Sequence, residues 1–274
     1  MKIIHTLADL RSTLAAYRHP AVVPTMGNLH AGHIALVEAA KPLGDVTLAT
    51  VFVNRLQFGP NEDFDTYPRT LEDDCAKLEA AGCDIVFAPS EKELYPQKQT
   101  FLIQPPPELA NILEGHFRPG FFTGVATVVM KLLSATQART AVFGKKDYQQ
   151  LMVIRQMVQQ FAMPVEIVGL DTRRAEDGLA MSSRNGYLSA AEREAAVLLS
   201  QTLKTLADAI RSGRSDYAAL EATAMDALTA AGWKPDYVVA RRRVDLQAPE
   251  AGDALVVLAA ARLGTTRLID NLEV

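Results

Sequence analysis

The chain has 274 residues, 49% of them hydrophobic and 22% charged, and a formal net charge of −4 at pH 7. That length suits one large domain, or a main domain with a smaller companion, and the composition is that of a globular protein. The acidic balance argues against non-specific nucleic-acid binding, and no apolar run nears the roughly 20 residues that cross a bilayer, so neither nucleic acid nor membrane is an expected partner.

In chain order, Met1-Lys2-Ile3-Ile4-His5 turns polar at once and lacks the apolar region of a signal peptide, so a cytoplasmic location is expected. The spacing predicts a helix over 7–17, then a strand over 21–26 that meets a glycine turn and a helix start. Residues 45–53 read as a strand buried on both faces. A helix over 70–81 and a strand over 84–88 follow. Cys75 and Cys83 fall here, form no CxxC, and read as buried free thiols. Pro105-Pro106-Pro107 starts a short helix to Gly115, and residues 125–133 continue as a helix. A strand over 141–143, a helix over 148–160 and a strand over 165–170 complete an alternation that implies an α/β fold with a doubly wound parallel sheet. Ligands of such sheets sit at the carboxyl ends of the strands.

Beyond residue 180 the texture changes. Ser189 with Glu192 reads as a capping box for one long helix ending near Gly213, and Ser215 or Asp216 starts another to about Ala231. Strands around 237–243, 253–259 and 266–269 complete a smaller C-terminal α/β module. Domains are expected over residues 1–175 and 176–274. Arg241-Arg242-Arg243 lies in a predicted strand and reads as solvated or salt-bridged surface.

Chemistry concentrates at the predicted strand ends. Pro24-Thr25-Met26-Gly27-Asn28-Leu29-His30-Ala31-Gly32-His33 places an HxGH tetrad where a strand turns into a helix. A helix N-terminus offers unpaired N–H groups and partial positive charge to a phosphate, and His30 and His33, three apart, can converge on one anion. The spacing also suits metal ligands, but no Cys, Asp or Glu cluster nearby completes a tetrahedral set. Asn54 and Gln57, after the second strand, can both donate and accept hydrogen bonds to a small polar substrate, or simply satisfy a loop. Gly144, Lys146 and Asp147 offer a turn, phosphate neutralisation and ribose binding. Lysines at a helix start oppose the helix dipole, and a broken local rule hints at function. Ser182, Ser183 and Arg184 pack hydroxyls and a guanidinium into a clamp for phosphate oxygens. Walker A, GxGxxG and GxSxG patterns are all missing from the sequence.

HxGH after the first predicted strand, with a hydroxyl-rich cationic loop late in the chain, resembles the adenylating and nucleotidyl-transferring α/β superfamily. The likeness extends through residues 24–33, FVNRLQF at 52–58, YPRT at 67–70, RPGFFTGVATVVMKL at 118–132, FGKKDYQQLMVIRQM at 143–157, DGLAMSSRN at 177–185 and RLIDN at 267–271. In that order they resemble the pantothenate synthetase (pantoate–β-alanine ligase) family over nearly the whole chain. The resemblance implies a Rossmann-like fold, and a lid-like C-terminal domain closing over ATP is expected because residues 182–184 fall where the two predicted domains meet. It also implies two steps: ATP and pantoate form pantoyl adenylate, and the β-alanine amine then displaces AMP. His33, His30 and Lys146 would be the catalytic residues, with His33 inheriting the proton-donor role. Met26, Gly27, His30, His33, Gly144, Lys146, Asp147, Arg173, Met181, Ser182, Ser183 and Arg184 would bind ATP, with Arg173 acting through its backbone. Gln57, Gln150 and Asn54 would bind pantoate and β-alanine. Mg²⁺ would accompany ATP, with few protein contacts and Asp73 and Asp74 only weak candidates for them, and a homodimer is implied. A nucleotidylyltransferase of the same superfamily, which keeps the nucleotide in its product, is the alternative.

Three positions depart from the family pattern. Arg55 stands where proline is usual and implies an unpaired guanidinium beside the carboxylate pocket. Phe121 replaces a histidine, and Lys145 a residue more often acidic or neutral.

Overall fold

A computed structural model describes residues 1–60 and 62–274 and divides them into two units. The first comprises Met1–Lys145 and Gln150–Asp171; the second comprises Lys146–Gln149 and Thr172–Val274.

The first unit is built on six strands: β1 (Lys2–Ile4), β2 (Pro20–Thr25), β3 (Val46–Val51), β4 (Ile85–Phe87), β5 (Thr140–Gly144) and β6 (Glu166–Leu170). They pair in parallel in the order β1-β4-β3-β2-β5-β6. From β2 the chain winds outward through β3 to β4, then returns to lay β5 on the other side of β2. That reversal is the switch point at which doubly wound sheets bind ligands. It falls at the carboxyl ends of β2 and β5, where the HxGH turn and Gly144 lie. The central strands are apolar on both faces, as burial by helices on each side demands. Helices α1 (Leu7–Leu14), α2 (Ala31–Ala40), α3 (Leu71–Ala80), α4 (Glu91–Leu94), α5 (Pro107–Ala110), α6 (Glu114–Phe117), α7 (Phe121–Thr136) and α8 (Tyr148–Gln160) follow in the chain. Strand β1 is not anticipated from sequence, because three residues carry too little periodicity to read. Helix α7 is longer than its apolar run. Gly120 and Gln137, both left-handed, bound it.

The second unit has an antiparallel sheet of β7 (Lys234–Arg242), β8 (Leu255–Leu263) and β9 (Thr266–Glu273), with β8 central. Helices α9 (Ala190–Ala195), α10 (Val197–Arg211) and α11 (Tyr217–Ala230) belong to it. The Ser189–Glu192 capping box forms as its spacing predicts, but the single long helix expected here divides at Ala196. Leu199, Leu203, Leu228, Trp233, Val257 and Ala259 form its core. Pro235 is tolerated because β7 is an edge strand, and the register shifts beside it. Among the described residues no helix is long and apolar enough to cross a membrane.

Candidate active site

Strand β2 ends at Thr25, and the chain reverses through Gly27 (φ 84°) and Asn28 (φ 50°), a left-handed pair. The Thr25 hydroxyl accepts the Gly27 N–H at 3.2 Å and donates to the Thr50 carbonyl at 2.7 Å, tying the turn to β3. A Cβ at Gly27 would lie 3.0 Å from Asp74 Oδ2 and 3.1 Å from Val51 Cγ1, so both space and backbone require glycine there.

His30 then caps α2. Its Nδ1 accepts the Gly32 N–H at 3.1 Å, and the His33 Nδ1 accepts the His30 N–H at 3.4 Å, a capping box made of two imidazoles. The two rings lie side by side, tilted by 34° with centroids 4.1 Å apart. A nitrogen that accepts from a backbone N–H carries no proton, so each neutral ring holds its hydrogen on Nε2. The two histidines are thus brought together as a pair of N–H donors at a helix N-terminus.

The loop after β3 adds the amides. Asn54 is buried: its Nδ2 donates to Gln57 Oε1 at 3.0 Å and to the Gly124 carbonyl at 3.2 Å, and its Oδ1 accepts the Tyr95 hydroxyl at 2.9 Å. Burial pushes the Tyr95 phenol up, so it remains a donor at neutral pH. Gln57 in turn donates from Nε2 to Met26 Sδ at 3.2 Å. Met26, Asn54 and Gln57 therefore form one chain of contacts, with Asn54 setting the amide orientation of Gln57. Arg118 supports the same loop, pairing with Glu62 through two 2.6 Å contacts and donating to the Gln57 carbonyl at 3.3 Å.

After β5, Gly144 leads into a 3-10 turn over Lys145–Asp147, and Gln150 follows, half-buried, in the first turn of α8. The lysines lie in the 3-10 turn that runs directly into α8, at the positive end of its dipole. In the second unit, the Lys146 carbonyl accepts Asn271 Nδ2 at 2.8 Å, while its ammonium has no hydrogen bond or ion pair among the described residues. Arg173 to Arg184 form a hairpin-like loop: Arg174 and Ala180 bridge in antiparallel fashion, and Met181 N–H donates to the Arg173 carbonyl at 3.0 Å. Ser182 Oγ caps a short 3-10 helix, Ser183–Tyr187, by accepting the Arg184 N–H. Arg174 holds that loop to β9 through a bidentate pair with the buried Asp270, at 2.7 and 2.8 Å. Asp270 and Asn271 lie in the RLIDN stretch, to which sequence reasoning attached no role. Arg174, Tyr95, Asp74 and Lys77 were likewise unassigned as supports, since each acts through partners remote in sequence. The Arg241–Arg243 run is salt-bridged: Arg242 pairs with Asp245 and Glu250, and Arg243 with Glu273.

The family model described as "Pantoate-beta-alanine ligase" matches residues 2–273. The chain belongs to the pantoate–β-alanine ligase family. It is 65% identical to the pantothenate synthetase of Paracidovorax citrulli and 64% identical to that of Verminephrobacter eiseniae, each aligned over all of both chains. The crystal structure of pantothenate synthetase from Thermus thermophilus superposes with a TM-score of 0.95 at 44% identity, covering 100% of this chain and 99% of that one. The Francisella tularensis pantoate–β-alanine ligase, solved with beta-gamma ATP and β-alanine, gives 0.85 at 35% identity, covering 100% and 97%.

As a pantoate–β-alanine ligase family member the chain is a ligase enzyme, and the fold is the one its relatives share. Its departures from the family pattern are absorbed locally. The Arg55 guanidinium is not unpaired: it meets Glu91 at 3.3 Å and lies 3.9 Å over the Phe64 ring. Phe121 is buried under the Arg118 guanidinium at 3.6 Å. Lys145 pairs with Asp171 at 2.7 Å. A resident metal ion does not fit the donor set: among the described residues no group of three or more His, Cys, Asp or Glu could hold one. Asp73 is exposed, and both oxygens of Asp74 are taken by backbone N–H groups.

Proposed function

We propose that this chain joins pantoate to β-alanine using ATP, through a pantoyl-adenylate intermediate. The pantoate carboxylate, ionised at neutral pH, attacks the α-phosphorus and pyrophosphate leaves. The β-alanine amine then attacks the acyl carbon, AMP leaves, and the nitrogen loses its proton to give pantothenate.

The first step needs no general base. It needs positioning, and stabilisation of charge building on the α- and β-phosphate oxygens. The observation that carries the reading is the pair of imidazoles locked through Nδ1, which leaves Nε2–H as the donor on each. His30 and His33 would give those hydrogens to phosphate oxygens, and Lys146 would add the charge of its ammonium. Met26 and Gly27 would form the backbone wall of the nucleotide site. Gly144 and Asp147 would take the ribose, the Arg173 backbone the adenine, and Met181, Ser182, Ser183 and Arg184 the remaining nucleotide contacts. Gln57 and Gln150 would hold pantoate, with Asn54 fixing the Gln57 amide and Gln57 also serving β-alanine. Mg²⁺, carried in on the ATP phosphates, would neutralise their charge; among the described residues no cluster of His, Cys, Asp or Glu forms a cage for it. Residues 1–175 would form the ATP- and pantoate-binding domain and 176–274 a lid-like one. The enzyme would be a cytoplasmic homodimer.

The test is an assay with ATP and β-alanine, with pantoate omitted and then restored. AMP formed only when pantoate is present is the expected result. Pyrophosphate release without AMP would defeat the ligase reading in favour of a nucleotidylyltransferase.

A further inference from the structure

We propose that Asp74 and Lys77, on one face of α3, are positioning residues that clamp the Leu29 peptide and thereby aim His30 and His33. Asp74 is 0% exposed. Its Oδ1 accepts the Leu29 N–H at 2.7 Å, and its Oδ2 accepts the Asn28 N–H at 2.9 Å and the Thr70 hydroxyl at 3.1 Å. Lys77 Nζ donates to the Leu29 carbonyl at 2.9 Å. Both polar groups of Leu29 are thus held by one helix, 45 and 48 residues away in sequence.

The turn needs such an anchor. Asn28, with φ 50°, sits in a conformation that costs an ordinary residue about 1–2 kcal/mol, and it follows a left-handed Gly27. A carboxylate buried without donors is expensive, and here three donors compensate it, two of them the N–H groups that define the turn. Asp74 also lies in the first turn of α3, where negative charge is favoured. The residue after Leu29 is His30, whose N–H meets His33 Nδ1 and whose ring caps α2. A displacement of the Leu29 peptide therefore moves both imidazoles. Asparagine cannot replace Asp74: its amide would set N–H against one of the backbone N–H groups.

The inference rests on the adenylating role proposed for His30 and His33, and the experiment separates the two. Pyrophosphate release is measured for wild type, Asp74→Asn, Lys77→Met and Lys77→Arg, with a magnesium titration for each. ¹⁵N imidazole spectra of the free proteins are recorded alongside. We expect Asp74→Asn to lower kcat by about 10²-fold, the scale of a lost transition-state donor, with KM values and half-saturating Mg²⁺ close to wild type. Its spectra should show His30 and His33 leaving their fixed Nε2–H tautomer. Lys77→Met should lower kcat by about tenfold, the scale of one lost hydrogen bond to a charged group, and Lys77→Arg should restore most of it. Unchanged kcat and tautomers in Asp74→Asn overturn the proposal. So does activity regained at high Mg²⁺, which marks a metal ligand. If Asp74→Asn does not fold, the Lys77 pair decides, and equal rates for Met and Arg overturn the clamp. A wild type that releases no pyrophosphate with pantoate defeats the functional reading instead, and the tautomer spectra still report on the clamp.

Discussion

His30 serves two purposes, and they can be separated by substitution. As an N-cap it holds the first turn of α2, and as an Nε2–H donor it would meet a phosphate oxygen. His30→Asn keeps a good cap but loses the distant donor, so its melting temperature should stay near wild type while adenylation falls by about 10²-fold. His30→Ala should lose the same rate and, in addition, about 1 kcal/mol of stability. Thermal melts and pyrophosphate release on the two variants check this, and near-wild-type turnover in both would remove His30 from the mechanism. The histidines and Gln57 were legible because residue type and spacing alone announce polar groups at strand ends. The supports were not: Asp74 meets Asn28 across 46 residues, and Tyr95 meets Asn54 across 41. Arg55 misled for the same reason, since its partner Glu91 is 36 residues on. A side chain's identity is local information, whereas its partner is a product of the fold.

Elements place those side chains, and close contacts between elements set the tolerance. The 3-10 turn over Arg55–Gln57 lies directly against α7, where a Cβ on Gly124 would come within 2.1 Å of the Leu56 carbonyl oxygen. Gly124→Ala must therefore push the turn that presents Gln57. We expect a loss of about 1–3 kcal/mol, the usual cost of overpacking, and a raised KM for pantoate. Urea denaturation and initial rates test both, and a wild-type urea midpoint would show that the turn has room. In the second unit the Arg174–Asp270 pair plays the comparable part, fixing the Arg173–Arg184 loop to β9. The Asp270 side chain is 2% exposed, so Asp270→Asn should cost about 3 kcal/mol by leaving a guanidinium underpaired, read as an earlier urea midpoint. Long periodic elements such as α8 match the sequence pattern residue for residue. The short β1 does not, and the break at Ala196 lies in a continuous helical pattern that carries no stop signal.

At the scale of the whole chain, the two units close separate cores, and each core contains a natural reporter. The sole tryptophan, Trp233, is 2% exposed among Leu199, Leu203 and Leu228 in the second unit. Both cysteines lie in the first unit, packed with Val37, Leu78 and Val86. Burial pushes the Cys83 thiol up to about 11 and raises that of Cys75 as well. At pH 8 a thiol at about 11 is roughly a thousandth thiolate, so a disulfide reagent should label neither cysteine in the native protein. Labelling then reports opening of the first unit, and tryptophan emission reports opening of the second. Chains with more than one core commonly unfold in more than one step. Urea titrations should therefore give different midpoints for thiol labelling and for Trp233 emission. Asp270→Asn should move the Trp233 midpoint and leave the thiol midpoint in place. Coincident midpoints that shift together in the variant would overturn this expectation and show that the two cores unfold as one.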